Sequence, residues 1–175
     1  GLEARSDAGR RPLSPRRGSA AIAALAPGPR FPRRMRQRVS ALWAGYGDVT
    51  FKNNTITNNN SGRIQTEWTQ RAGATYLFEG NSIVESSSGE MYGFRIELDS
   101  YNADVSILNN TIETRYDGIQ VYGSKNASPK ITGNTIKGTA SEGTGINTWG
   151  KMRPVIENNT VEKKQYGIRV EYDDA

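Results

Sequence analysis

The feature that most constrains this chain is a short motif that returns at a near-constant interval. It reads Asn53-Asn54-Thr55-Ile56, Gly80-Asn81-Ser82-Ile83, Asn109-Asn110-Thr111-Ile112, Gly133-Asn134-Thr135-Ile136 and Asn158-Asn159-Thr160-Val161. Its second position recurs as Asn54, Asn81, Asn110, Asn134 and Asn159, at intervals of 27, 29, 24 and 25 residues. A period of this length marks a solenoid, whose units bury their apolar faces only against their neighbours. Alternating apolar residues precede the motif, as in Val49 and Phe51, Tyr76 and Phe78, or Val105 and Ile107, and period-two alternation is strand. A second alternating element in each unit opens with glycine: Gly93-Phe94-Arg95-Ile96, Gly118-Ile119-Gln120-Val121, Gly145-Ile146-Asn147-Thr148 and Gly167-Ile168-Arg169-Val170. The first unit carries a looser version, Gly62-Arg63-Ile64-Gln65-Thr66.

Leucine-rich repeats also place an Asn inside such a period, and Val105-x-Ile107-x-x-Asn110-x-Ile112 meets their spacing. They need Leu-dominated positions, however, and only Leu77, Leu98 and Leu108 follow residue 45. The expected fold is all-β, a right-handed parallel β-helix solenoid of about five rungs over residues 46–175. Successive rungs then lie roughly 4.8 Å apart. The repeated Asn falls at an inward turn, where a buried amide is tolerable only if it bonds from rung to rung, so the five Asn are assigned to a structural ladder. Asn53, Asn59, Asn109, Asn126 and Asn158 also match the glycosylation sequon. Expected core stacks are Val49, Tyr76, Val105, Lys130 or Ile131, and Val155 before the turn, with Ile56, Ile83, Ile112, Ile136 and Val161 after it.

Residues 1–45 have a different composition. Ten Arg against Glu3 and Asp7 give them +8, whereas 13 basic and 16 acidic residues give the remainder −3. They hold five of the seven prolines and no Asn. Such a segment cannot bury enough apolar surface to offset chain ordering, so it is expected to be a disordered leader or an artificial extension foreign to the natural protein. Arg16-Arg17 followed by Gly18, Ser19 and the apolar run to Ala26 also resembles a twin-arginine export leader. The basic pI belongs to this segment alone, and its Arg runs lack interleaved aromatics, so no nucleic-acid partner is expected. No apolar run is long enough to span a bilayer.

Cysteine and histidine are both absent. Disulfides, thiolate zinc sites and every His-based catalytic relay are thereby excluded, leaving carboxylates, Arg, Lys and Tyr.

The units Ser128-Pro129-Lys130-Ile131-Thr132-Gly133-Asn134-Thr135-Ile136 and Arg153-Pro154-Val155-Ile156-Glu157-Asn158-Asn159-Thr160-Val161, each followed by Gly-Ile, resemble repeats of the pectin-lyase-like superfamily. They look most like its NosD-type or carbohydrate-binding and sugar-hydrolase repeats. The resemblance covers about residues 46–175 and implies the β-helix; it is poor for activity, because lyases, hydrolases, epimerases, copper-assembly proteins and non-catalytic surface proteins share these repeats. The Gly-His-Gly and Arg-Ile-Lys segments of polygalacturonase-like members and the Asp-Pro-His-Asp of epimerase-like members are missing.

Strand alternation sends Gln65, Arg95, Gln120, Asn147 and Arg169 outward in one column and Glu67, Glu97, Tyr122, Trp149 and Glu171 in the next. Aromatic faces cover pyranose rings while amides and guanidinium groups bond hydroxyls or carboxylates, so Arg95, Gln120, Tyr122, Asn147, Trp149, Arg169 and Glu171 are the expected ligand contacts. Glu67, Glu97 and Arg169 are the catalytic candidates if the chain is a polysaccharide lyase or hydrolase. Glu67, Glu97 and Asp99 are the candidates for a hard cation such as Ca²⁺; no other cofactor is expected. The leading expectation is a secreted, periplasmic or cell-surface module that binds polysaccharide or surface glycan, as part of a larger protein. The alternatives are that lyase or hydrolase and a structural spacer, with edge-to-edge oligomerisation or additional rungs completing the solenoid.

Overall fold

A computed structural model of the protein describes residues 42–44, 47–57, 64–66, 73–85, 92–98 and 103–172. All regular structure among them is strand, three segments to a rung. The first column of strands is β1 (Leu42–Ala44), β4 (Ile64–Thr66), β7 (Phe94–Leu98), β10 (Ile119–Ala127), β13 (Thr144–Met152) and β16 (Tyr166–Glu171). The second is β2 (Val49–Lys52), β5 (Thr75–Glu79), β8 (Asp104–Leu108), β11 (Lys130–Thr132) and β14 (Val155–Glu157). The third is β3 (Thr55–Thr57), β6 (Ser82–Val84), β9 (Thr111–Thr114), β12 (Thr135–Gly138) and β15 (Thr160–Glu162). Each column forms one parallel sheet with strands in rung order, so the chain coils through about four turns between Asn54 and Asn159. The coil includes Leu42–Ala44, which pair in parallel with β4 although their composition groups them with the Arg-rich segment. The rest of that segment, residues 1–41 and 45, lies outside the described residues.

The five Asn line up as a hydrogen-bonded ladder. The Nδ2 groups of Asn54, Asn81, Asn110 and Asn134 each donate to the Oδ1 of the next Asn, at 3.1, 2.9, 3.0 and 2.9 Å. The same Oδ1 atoms also accept the backbone N–H of the preceding Asn, at 2.9–3.0 Å. A second proton on the Asn81, Asn110, Asn134 and Asn159 amides goes to the carbonyls of Phe51, Phe78, Ile107 and Ile131 one rung back. Asn81, Asn110 and Asn134 are 1% exposed, so the central bonds of the ladder are made away from water.

The residue before each ladder Asn explains why the motif begins with Asn or Gly. Asn53, Gly80, Asn109, Gly133 and Asn158 all have φ between 53 and 69°, the left-handed region open to glycine and tolerated by asparagine. The two residue types alternate up the stack. A Cβ on Gly80 would lie 2.4 Å from Asn53 Oδ1, and one on Gly133 would lie 2.3 Å from Asn109 Oδ1, so each of these Asn side chains occupies the space that the next glycine leaves.

Inside the coil, Ile64, Phe94, Ile119 and Ile146 stack in one fully buried file, and Ile83, Ile112 and Ile136 form another. Phe78 packs on Phe94 with ring centroids 5.5 Å apart. One expected stack is corrected by the register. Lys130 lies opposite Ser106, and Val155, 39% exposed, lies opposite Lys130, so both point outward. The expected stack holds at Val49, Tyr76 and Val105, the latter two fully buried, and beside it a second inner file runs through Phe51, Phe78, Ile107, Ile131 and Ile156, each three residues before its ladder Asn.

Candidate functional site

The outer surface of the first sheet carries the two expected columns in register. Gln65, Arg95, Gln120, Asn147 and Arg169 are successive Cα partners, as are Glu97, Tyr122, Trp149 and Glu171. Glu67 and Asp99 lie outside the described residues, and among the described residues no three His, Cys, Asp or Glu side chains cluster around a cation position.

The ends of this surface are charged and its centre is neutral. Arg95 donates through Nε and Nη2 to the same Glu97 Oε1, at 2.9 and 2.8 Å. Glu97 is only 7% exposed, which corrects the expectation of an open carboxylate: Tyr122 flanks it in the next rung and Arg95 closes over it. Arg169 pairs through Nη2 with Oε1 of Glu171 two residues on, and stands 5.9 Å from the Tyr166 ring centroid. Between these pairs lie Gln120 with Tyr122 and Asn147 with Trp149. The two rings pack with centroids 5.5 Å apart at 39°, beside an open cleft of about 470 Å³ lined by Trp149, Gly150, Glu171 and Tyr172. Gly150, at φ 104°, lets β13 bend directly after Trp149, where a Cβ would meet the Gly123 carbonyl oxygen at 2.1 Å.

Asp117 organises the amides, and nothing periodic in the sequence marks it. Its Oδ1 accepts the Thr144 N–H at 2.6 Å, and its Oδ2 accepts Gln120 Nε2 at 2.8 Å and Asn147 Nδ2 at 3.3 Å. One buried carboxylate therefore sets both amides. Asn147 Oδ1 is buried and accepts no hydrogen bond, an uncompensated acceptor of the kind that costs about 1–3 kcal/mol.

The second unheralded residue is Lys164, which reaches past the rung-four loop to the turn before Asp117. Its ammonium donates to Thr114 O at 2.7 Å, to Thr114 Oγ1 at 3.2 Å and to Tyr116 O, with Arg115 O at 3.4 Å. The loop between β12 and β13 folds over the same turn, because Glu142 binds Arg115 through two bonds of 3.0 and 3.1 Å. The hydrogen bond from Arg115 holds the Glu142 carboxyl below its ordinary range.

Burial pushes the Lys164 ammonium down to about 8, against an opposing pull from Asp117. The folded amine thus holds its proton less tightly than the unfolded one, whose ordinary value is 10.5, so charging it opposes folding. That penalty is fully present below pH 8 and is relieved as pH climbs toward 10.5; stability should rise across that window. Urea midpoints of the wild type should therefore climb relative to those of Lys164→Met over this range. A constant difference would refute the assignment.

The fold and this face define a parallel β-solenoid with an aromatic and amide surface on one sheet. The chain belongs to the right-handed β-helix family, whose model, described as right handed beta helix region, matches residues 36–161. The pectin-lyase-like likeness of the repeats is consistent with that membership. No curated protein and no solved structure matches the chain significantly. Among the described residues no helix is long and apolar enough to cross a membrane.

Proposed function

We propose that this chain is a polysaccharide-binding β-helix module acting outside the cytoplasm, in secreted, periplasmic or surface-attached form. The observation that carries this reading is the Tyr122–Trp149 pair beside an open cleft, next to two amides oriented by Asp117. Aromatic faces supply apolar contact for sugar rings, and amides supply directional bonds to hydroxyls. A saccharide laid along the solenoid axis meets a new rung every 4.8 Å or so, which suits a polymer of repeating units. The catalytic alternative is less well supported: Glu97 is buried against Arg95, and Arg169 is paired with Glu171.

The test is retention of the full chain on immobilised β-glucan, xylan, alginate and pectin, followed by titration with oligosaccharides of whichever polymer retains it. Trp149→Ala should weaken binding by about tenfold or more, corresponding to about 1.4 kcal/mol, as for a central aromatic anchor. Absence of retention on all four polymers, or equal affinity of Trp149→Ala, would sink the reading.

A further inference from the structure

Lys164 does not line the cleft beside the aromatic pair, yet its bonding partners lead straight to the amides. Its ammonium gathers the carbonyls of Thr114 and Tyr116, from two rungs earlier in the coil. Those carbonyls belong to the turn that ends in Asp117, and Asp117 aims Gln120 and Asn147. The backbone leading into Lys164 lies close against β12 because position 138 is glycine: a Cβ there would lie 1.8 Å from the Lys163 carbonyl oxygen and 2.7 Å from that of Ala140. Rung four also spends more residues on this turn, with ten between Asn134 and Gly145 against seven between Asn110 and Gly118. The longer loop carries Glu142 onto Arg115.

We infer that Lys164 is a positioning residue for the proposed saccharide face, holding the turn at 114–117 so that Asp117 presents the Gln120 and Asn147 amides, and that proton loss from its amine weakens ligand binding. This rests on the polysaccharide reading and adds its regulation. The protonated amine has three donors and meets a convergent set of acceptors; the neutral amine has two donors and exerts no charge on Asp117. Other charged or titratable groups on the elements packed around it are Glu113, Arg115 and Tyr116 in rung three, Lys137 of β12, in register with Glu113 and Glu162, Glu142 of the rung-four loop, already bound to Arg115, and Glu162, Lys163 and Tyr166 of its own rung.

Two effects of the same proton then run in opposite directions. Raising the pH relieves the buried charge and stabilises the fold, while it loosens the turn and weakens binding. A merely structural lysine would move stability and affinity together.

The experiment uses the full chain labelled with ¹⁵N, without ligand, and follows the side-chain amide signals of Gln120 and Asn147 through pH 8. Both should titrate together with the Lys164 amine, and both should lose that titration in Lys164→Met and Lys164→Arg. Affinity for a neutral cello-oligosaccharide and an anionic oligogalacturonate is then measured across the same transition. The probe that binds should lose about fivefold in affinity, the low end of ordinary coupling between sites. In Lys164→Arg, whose charge persists, affinity should stay constant with pH. Amide signals that do not respond to the transition, or affinity that rises with stability, would overturn the inference. Amides that titrate as expected while neither probe binds at any pH would remove the regulated site itself, leaving a lysine that holds only a turn.

Discussion

Replacing Asn110 by alanine should destabilise the protein by about 3–5 kcal/mol, a large part of the 5–15 kcal/mol that holds an ordinary domain together. The magnitude follows from the bonds lost. Asn110 Oδ1 accepts both the N–H and the Nδ2 of Asn81, and Asn110 Nδ2 donates to Phe78 O and Asn134 Oδ1. All four bonds lie where water does not reach, so alanine leaves the Asn81 N–H and the Phe78 carbonyl without these partners in the core. Asn54→Ala is the matched control: its side chain makes two ladder-end bonds, to Lys52 O and Asn81 Oδ1, in a partly exposed position. Its loss should be close to 1 kcal/mol. Urea unfolding of both variants, with comparison of midpoints at equal slope, distinguishes the cases. Equal losses would mean that the amides only decorate a coil held by its apolar files.

What the sequence reveals and what it hides follow from the same fact, that a solenoid repeats its structural needs and not its functional ones. The ladder was legible because each rung meets the same buried turn and solves it with the same side chain. The outward columns were legible because parallel strands in register turn a periodic sequence into a geometric file. Val155 is easily misplaced because Lys130 and Ile131 offer two phases of alternation; only counting back three residues from the ladder Asn selects Ile131 and Ile156. The burial of Glu97 was hidden because it depends on a neighbour in the next rung and on Arg95 two residues away. Asp117 and Lys164 were hidden for another reason. Each occurs once, in turns whose lengths differ between rungs, and the contact joining their segments spans 48–50 residues. The alternation of Asn and Gly before the ladder residue is plain in the letters; its cause, a left-handed backbone whose side chain occupies the next rung's vacant Cβ, requires coordinates.

The glycine column at the start of the last four strands of the first sheet gives the other large effect, because it supplies both the test and its control. A Cβ on Gly145 would lie 2.3 Å from Val161 Cγ1 and 2.5 Å from the Gly167 carbonyl oxygen; the equivalent atom on Gly118 would meet Ile136 Cγ2 at 2.4 Å and the Gly145 carbonyl oxygen at 2.8 Å. None of these glycines needs a positive φ; they are required because the first sheet passes directly against the apolar file of the third. Gly167 occupies the same place in the last rung, and nothing lies within 4 Å of its hypothetical Cβ. Gly145→Ala should therefore cost about 2–3 kcal/mol, since a backbone carbonyl and a packed valine must both shift. Gly167→Ala should be neutral or stabilising by a few tenths to about 1 kcal/mol, because alanine restricts the unfolded chain without meeting an obstacle. The consequence reaches the proposed site, since Gly145 stands two residues before Asn147, whose amide must meet Asp117. Oligosaccharide affinity should fall in Gly145→Ala even where the protein remains folded, and should hold in Gly167→Ala. Indistinguishable urea midpoints for the two variants would show that the glycine column is not a packing requirement, and the close contact between the first and third sheets argued to fix the proposed binding face would have to be abandoned.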